Sequence, residues 1–400
     1  MLTILRHADL YTPASCGDSA LVIGGGQVLW IGPDGELPAV GLEAEERDLA
    51  GARVVPGLVD GHAHTTGGGG EAGAATRVPA PPLSAFTRHG VTSVVGMLGT
   101  DAETRSMAEV LAATRALRAE GLSAWCLTGG YHLPPATLTG SLRGDLVHLD
   151  AVVGVGELAL SDFRSSQPTR DELLRVASEV QVGAMLAGKA GVLHLHLGDG
   201  ERGLELVRGA LDESELPARL FHPTHVNRRR DLFEEALHLA ERGVPLDLTA
   251  FPVDEATPAD ELSATEAVRA YLDAGLDPAR LTVSSDSGGC LPRFDADGAM
   301  THMDVGGAAG LLGTLAELVG AGLALERVLP LFTSNPAEQL GLWGSNEPKG
   351  RLCEGADADL LVLDEAGRAT DVMALGRWLV AGGEPLVRGT FEAAPDHARP

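Results

Sequence analysis

The stretch Val54-Val55-Pro56-Gly57-Leu58-Val59-Asp60-Gly61-His62-Ala63-His64 opens with an apolar run and ends in two histidines spaced i, i+2. Val54–Val59 reads as a β-strand, and on a strand that spacing sets both imidazoles on one face. In a parallel (β/α)8 barrel the histidines would sit at the strand's carboxy-terminal end, where this fold gathers its functional groups. An open doubly wound sheet would follow its first strand with a glycine-rich phosphate turn; here the strand runs into histidine.

The residues beyond this stretch repeat its logic. Further strand candidates are Val91–Met97, Ser123–Leu127, Val152–Leu160, Val192–Leu197, Leu220–Thr224, Pro245–Thr249 and Leu281–Ser284. Between them, Glu103–Glu120, Arg170–Leu186, Asp231–Arg242 and Ala264–Ala274 carry apolar residues near i, i+3, i+4 spacing. Eight such units over residues 54–345 predict an α/β chain built on a closed, TIM-like (β/α)8 barrel. The two ends, residues 1–53 and 346–400, hold short alternating runs broken by Gly and Pro. Together they predict a small β-sandwich domain.

Composition excludes several classes of partner. The net charge of −26 over 400 residues disfavours nucleic acid and anionic lipid. No uninterrupted apolar run of about 18 residues appears, so no membrane span is expected. Arg6, His7 and Asp9 interrupt the first apolar run, which makes it a poor signal peptide and points to the cytoplasm. Cys16, Cys126, Cys290 and Cys353 form no CxxC pair and indicate neither a disulfide framework nor a zinc ribbon.

His62 and His64 have companions. His196 lies near the end of the fifth strand, His225 at the end of the sixth, and Asp286 at the end of the eighth. Four imidazoles and a carboxylate at strand tips form a converging N/O donor set, suited to Zn²⁺ and less specifically to Mn²⁺, Ni²⁺ or Fe²⁺. His194 shares the face of His196 by alternation but, like His132, His148, His222 and His302, reads as an ordinary polar residue and carries no assignment.

These motifs resemble the amidohydrolase superfamily. Within it, the chain resembles the isoaspartyl (β-aspartyl) dipeptidases over nearly its whole length. The resemblance rests on residues 56–64, then on Gly67-Gly68-Gly69-Gly70-Glu71-Ala72-Gly73 and Gly90-Val91-Thr92-Ser93-Val94-Val95-Gly96. Leu127-Thr128-Gly129-Gly130-Tyr131-His132, Ser161-Asp162-Phe163-Arg164-Ser165, Pro223-Thr224-His225-Val226-Asn227-Arg228 and Ser284-Ser285-Asp286 complete it. The HxH pair belongs to the superfamily at large; the tetraglycine-Glu and Pro-Thr-His-Val-Asn-Arg stretches are more specific. The resemblance implies that His62 and His64 bind one metal and His196 and His225 a second, with Asp286 on the first. It also implies a homo-oligomer.

The sequence departs from the family pattern at the carboxylated lysine that usually bridges two such metals. Five residues before Asp162 stands Glu157, and the chain's only lysines, Lys189 and Lys349, fall before the fifth strand and in the terminal β region. The expectation is therefore two Zn²⁺ bridged directly by Glu157. Because Glu is the shorter side chain, the strand must come closer to the metals, through a bulge that Gly154 and Gly156 permit. A second departure is Cys290, where the pattern has serine; cysteine is the weaker hydrogen-bond partner.

The implied reaction is hydrolysis of a β-aspartyl dipeptide by a metal-bridging hydroxide. Asp286 shuttles the proton, and Tyr131 steadies the developing oxyanion. Glu71 is expected to meet the substrate ammonium, Arg164 and Arg228 its carboxylates, and Cys290 to lie beside the amine. The alternatives are a cyclic amidase of the dihydroorotase or hydantoinase kind, and a non-catalytic, metal-stabilised binding protein.

Overall fold

The computed structural model describes residues 2–39, 41, 43–251, 257–294 and 300–392. The predicted barrel is present. Its strands are β1 (Leu58–Ala63), β2 (Val91–Gly96), β3 (Ser123–Thr128), β4 (Val152–Leu160), β5 (Leu193–Leu197), β6 (Phe221–Thr224), β7 (Leu246–Thr249) and β8 (Leu281–Ser284). Strands β1 to β6 form one parallel sheet in sequence order, and β7 pairs with β8.

Side chains complete the ring where strand pairing stops. Between β6 and β7, the Asn227 amide donates to the carbonyls of Thr249 and Leu262, and its oxygen accepts from the Thr249 amide at 2.9 Å. Between β8 and β1, the Asp60 carboxylate accepts from the Ser285 amide and hydroxyl, and Ala63 bridges to Ser287. Both closures lie at the carboxy-terminal rim, so they also brace the mouth.

The helices wrap the ring with their apolar faces inward. Arg170–Ala187 buries Leu173, Val176, Ala177, Val180 and Ala184, a single stripe at helical spacing. Thr169 and Glu172 close its first turn as a capping box, and Ser263 with Glu266 does the same for Ala264–Asp273. No helix among the described residues is long and apolar enough to cross a membrane.

The first predicted strand is divided. Arg53–Pro56 pairs antiparallel with Leu360–Leu363 in the terminal sheet, and the barrel strand starts at Leu58. Gly57 makes the joint: a Cβ there would collide with the Thr92 side chain. The chain ends build a nine-stranded mixed sheet in which the amino-terminal strands form one block and the carboxy-terminal strands another, joined where Arg53–Pro56 pairs with Leu360–Leu363. This sheet has its own apolar cluster, including Leu5, Leu10, Leu21, Ile23, Leu360 and Met373. Of the segment 346–400, residues 393–400 lie outside the described residues.

The two lysines serve the scaffold. Lys349 is buried against Asp357 and Asp359, at 2.5 and 2.8 Å. Lys189 donates to the carbonyls of Leu146, Leu149 and Val152. Val152 begins β4, so Lys189 is held at the rim opposite the histidines.

Candidate metal centre

Strand β4 is irregular where the chemistry requires it. Leu193 pairs with Val155, but Leu195 pairs with Leu158, so two steps along β5 face three along β4. The extra residue is a bulge at Gly156-Glu157. Gly156 has φ 152°, and a Cβ on it would lie 2.7 Å from the His194 carbonyl oxygen. Only glycine fits this close approach. The glycine-containing bulge expected in the fourth strand is there, and it carries Glu157 into the mouth.

Glu157 lies at the middle of the histidine set. Its Oε1 is 3.4 Å from His64 Nε2; its Oε2 is 3.5 Å from His62 Nε2, 3.2 Å from His196 Nδ1 and 3.5 Å from His225 Nε2. Asp286 Oδ1 is 3.1 Å from His64 Nε2 and 3.5 Å from His62 Nε2. All six residues are buried. His62 Nε2 and Asp286 Oδ1 have no hydrogen-bond partner among the described residues.

This donor set fits divalent cations. Four N/O ligands at about 2.0–2.1 Å from one ion stand roughly 3.3–3.4 Å from each other, close to most of these separations. Direct N–H···O bonds would typically be nearer 2.9–3.0 Å. Three ligand triplets share His62 among the described residues: one with His64 and Asp286, one with Glu157 and His225, and one with His194 and Asp247.

The backbone aims two of these side chains at a conformational cost. His225 and Asp286 adopt φ of 61° and 51°, a left-handed region that costs non-glycine residues roughly 1–2 kcal/mol. Each strand thus turns sharply at its tip and presents its last polar side chain to the mouth.

Second partners orient the rings. His225 Nδ1 is 2.6 Å from Thr249 Oγ1, and His62 Nδ1 is 2.8 Å from His194 Nε2. His196 Nε2 is 3.1 Å from Asp162 Oδ2, while its Nδ1 faces Glu157. Burial, then the neighbouring imidazoles, hold His62 and His225 well below the usual histidine range, so both rings stay neutral. His64 goes the other way. Burial lowers its pKa, but the adjacent Asp286 carboxylate, and after it the charge of Glu157, outweigh this and raise it to about 9.

The mouth opens into a cavity of about 410 Å³ lined by the metal-site residues and by Glu71, Tyr131, Arg164, Arg228 and Cys290. Every sequence-predicted site residue therefore borders this cavity or lies just beneath it, as His62 does. Arg164 is held between Asp162, at 2.6 Å, and Glu71, at 3.5 Å. Glu71 Oε1 also accepts from Thr100, and Oε2 is buried without a partner among the described residues. Arg228 is 3.4 Å from Asp199. The Tyr131 hydroxyl is 2.8 Å from His196 Nδ1, and burial with the charge of Glu157 keeps it protonated. Burial and the Glu71 charge push the Cys290 thiol up to about 12, so it stays neutral.

Sequence reasoning used Asp162 only as a landmark, yet its carboxylate joins His196 to Arg164. Its place two residues before an arginine, in a motif already singled out, was the available signal. His194 and His222, set aside as ordinary, are both buried beneath the site. Their alternation with His196 and Thr224 along β5 and β6 was visible, but the stacking of the two strands was not.

Comparison with known proteins agrees with this architecture. The sequence profile of the Amidohydrolase family matches residues 53–379. A crystal structure of β-aspartyl dipeptidase from Fervidobacterium islandicum AW-1, in complex with a β-Asp-Leu dipeptide, superposes with a TM-score of 0.88 at 38% identity. It covers 96% of this chain and 98% of that one. Dihydropyrimidinase from Brevibacillus agri NCHU1002, at 15% identity and TM-score 0.69 over 97% of both chains, shares the fold. Among curated sequences, imidazolonepropionase of Paracoccus denitrificans (strain Pd 1222) is 44% identical over 78 residues, 18% of this chain. The match spans only 20% of that relative's length. The chain belongs to the amidohydrolase family, and over nearly its whole length it resembles the β-aspartyl dipeptidases.

Proposed function

We propose that this amidohydrolase is a β-aspartyl dipeptidase with two divalent cations, most suitably Zn²⁺, joined by the Glu157 carboxylate. The observation that carries the reading is the placing of Glu71 beside Arg164, 3.5 Å apart, on the wall of a cavity lined by metal-ligand residues. A carboxylate next to a guanidinium complements a zwitterion, and the free end of a β-aspartyl dipeptide is an α-ammonium and an α-carboxylate on one carbon. Hydantoin and dihydroorotate rings carry no ammonium for Glu71.

His62 and His64 would hold one ion and His196 and His225 the other, with Glu157 common to both and Asp286 on the first. Such ions supply Lewis acidity and a water that ionises near neutral pH. Glu71 receives the substrate ammonium, and Arg164 and Arg228 receive its carboxylates. The Tyr131 hydroxyl, kept protonated, donates to the oxygen that becomes negative. Asp286 Oδ1 accepts a proton from the attacking water and returns it to the leaving amine. Cys290, on the same wall, lies beside the amine.

Hydrolysis of β-Asp-Leu and α-Asp-Leu by metal-loaded protein, with hydantoin and dihydroorotate alongside, tests the reading. Cleavage of β-Asp-Leu alone is expected. Turnover of the rings with none of the dipeptide would replace it with a cyclic amidase.

A further inference from the structure

Below the metal-ligand residues, the barrel interior holds a polar chain that the proposed reaction does not use. His62 Nδ1 lies 2.8 Å from His194 Nε2, and His194 Nδ1 lies 3.1 Å from His222 Nδ1. His222 Nε2 lies 3.2 Å from Thr282 Oγ1, whose hydroxyl donates at 2.5 Å to Asp247 Oδ1. Asp247 Oδ2 accepts from the hydroxyls of Thr224 and Ser284, both at 2.6 Å. These residues come from β1, β5, β6, β7 and β8, and all are buried.

The proton arrangement follows from the two ends. At the far end, Asp247 meets three hydroxyls and accepts from each, so Thr282 must turn its lone pairs to His222. His222 then carries its proton on Nε2 and accepts at Nδ1. His194 carries its proton on Nδ1 and accepts at Nε2, and His62 carries its proton on Nδ1. Each ring is neutral with one proton, and every donor meets an acceptor. His62 is left with a lone pair on Nε2, the atom that faces Glu157 and Asp286 and lacks a hydrogen-bond partner.

We infer that His194, His222, Thr282 and Asp247 form a positioning chain that fixes the tautomer of His62, so that its Nε2 is always presented to the metal. The inference rests on the metal reading above and deepens it. The carboxylate sets the direction of the chain, as a carboxylate does one bond away from a ligating histidine in many metal sites; here three side chains intervene. His62, His194 and Asp247 could also be read as ligands of a third ion. The 2.8 Å separation between the two rings is a hydrogen-bond distance, shorter than the spacing of ligands around one ion.

The test measures metal affinity by chelator competition, with the visible spectrum of the Co²⁺-loaded protein and the denaturation midpoint of the metal-free form. Thr282→Val keeps the shape of the side chain but leaves His222 Nε2 without an acceptor. His194→Leu breaks the chain at His62, and His194→Gln restores an acceptor there. Wild-type protein should bind two ions. Thr282→Val and His194→Leu should weaken binding by roughly 10–100-fold and alter the Co²⁺ spectrum, and His194→Gln should recover part of both. Wild-type affinity and spectrum in folded Thr282→Val and His194→Leu proteins would overturn the chain. A third ion lost on His194→Leu would overturn it also. Failure of wild-type protein to bind any ion would instead remove the metal reading itself.

Discussion

Gly156 packs against His194 so closely that a Cβ on it would lie 2.7 Å from the His194 carbonyl oxygen and 2.8 Å from the His194 Cβ. This contact lets β4 bulge and brings a side chain as short as Glu157 to the middle of four histidines. Gly156→Ala combines steric conflict with an unfavourable φ of 152°. It should destabilise the protein by at least about 2 kcal/mol and lower metal content. A denaturant melt and metal analysis check this; wild-type stability with full metal content would show that the close approach is dispensable.

Asp162 serves two masters, the His196 ring and the Arg164 guanidinium. Asp162→Asn keeps the shape and removes the charge. It should weaken metal binding by roughly 10–100-fold and raise the KM for β-Asp-Leu, so both titrations should move together. A change in KM with unaltered metal affinity would confine Asp162 to the arginine.

Glu71 and Arg164 should recognise opposite charges of one substrate. Arg164→Lys loses the planar fork and should raise the KM for β-Asp-Leu about 10–100-fold. Glu71→Gln should raise it similarly for the free dipeptide. Against N-acetyl-β-Asp-Leu, which has no ammonium, wild-type and Glu71→Gln proteins should be equally poor. A large advantage of wild type on the acetylated compound would contradict the assignment.

His64 supplies the pH dependence. With a pKa of about 9 in the metal-free protein, its ring is protonated at neutral pH, and an incoming cation must displace that proton. Metal affinity should therefore rise with pH up to about 9 and then level off. The same raised pKa stabilises the metal-free fold below the unfolded value of about 6.5. That contribution is lost as pH rises through about 9. Calorimetry in buffers of different ionisation enthalpy should detect a proton released on metal binding near pH 7.5. None released there would contradict the His64–Asp286 pairing.

The barrel was legible because its signals are local: apolar strands at regular spacing, amphipathic helices between them, and polar residues at strand ends. His62, His64, His196, His225 and Asp286 could be read as one set because a barrel brings all strand tips to one mouth. The bulge in β4 could be inferred from Glu157 standing where a longer side chain was expected. What escaped depends on three-dimensional register. The break at Gly57 follows from a contact with Thr92, a residue 35 positions away by sequence number. Asp162 gains its role only when β4 and β5 align, and His194 and His222 gain theirs only when β1, β5 and β6 face across the interior. Closure of the ring by Asn227 and Asp60 likewise uses side chains in place of ladder bonds, which no periodicity announces.

The central claim is that Glu157 joins two metal ions into one catalytic centre. Its most direct measurement is β-Asp-Leu turnover during stepwise Zn²⁺ reconstitution of metal-free protein, with bound metal counted at each point. Activity should reach its maximum only at two ions per chain, and Glu157→Gln should retain neither the second ion nor the activity. Full activity at one ion per chain, or a Glu157→Gln protein that holds two ions and turns over at the wild-type rate, would contradict the claim.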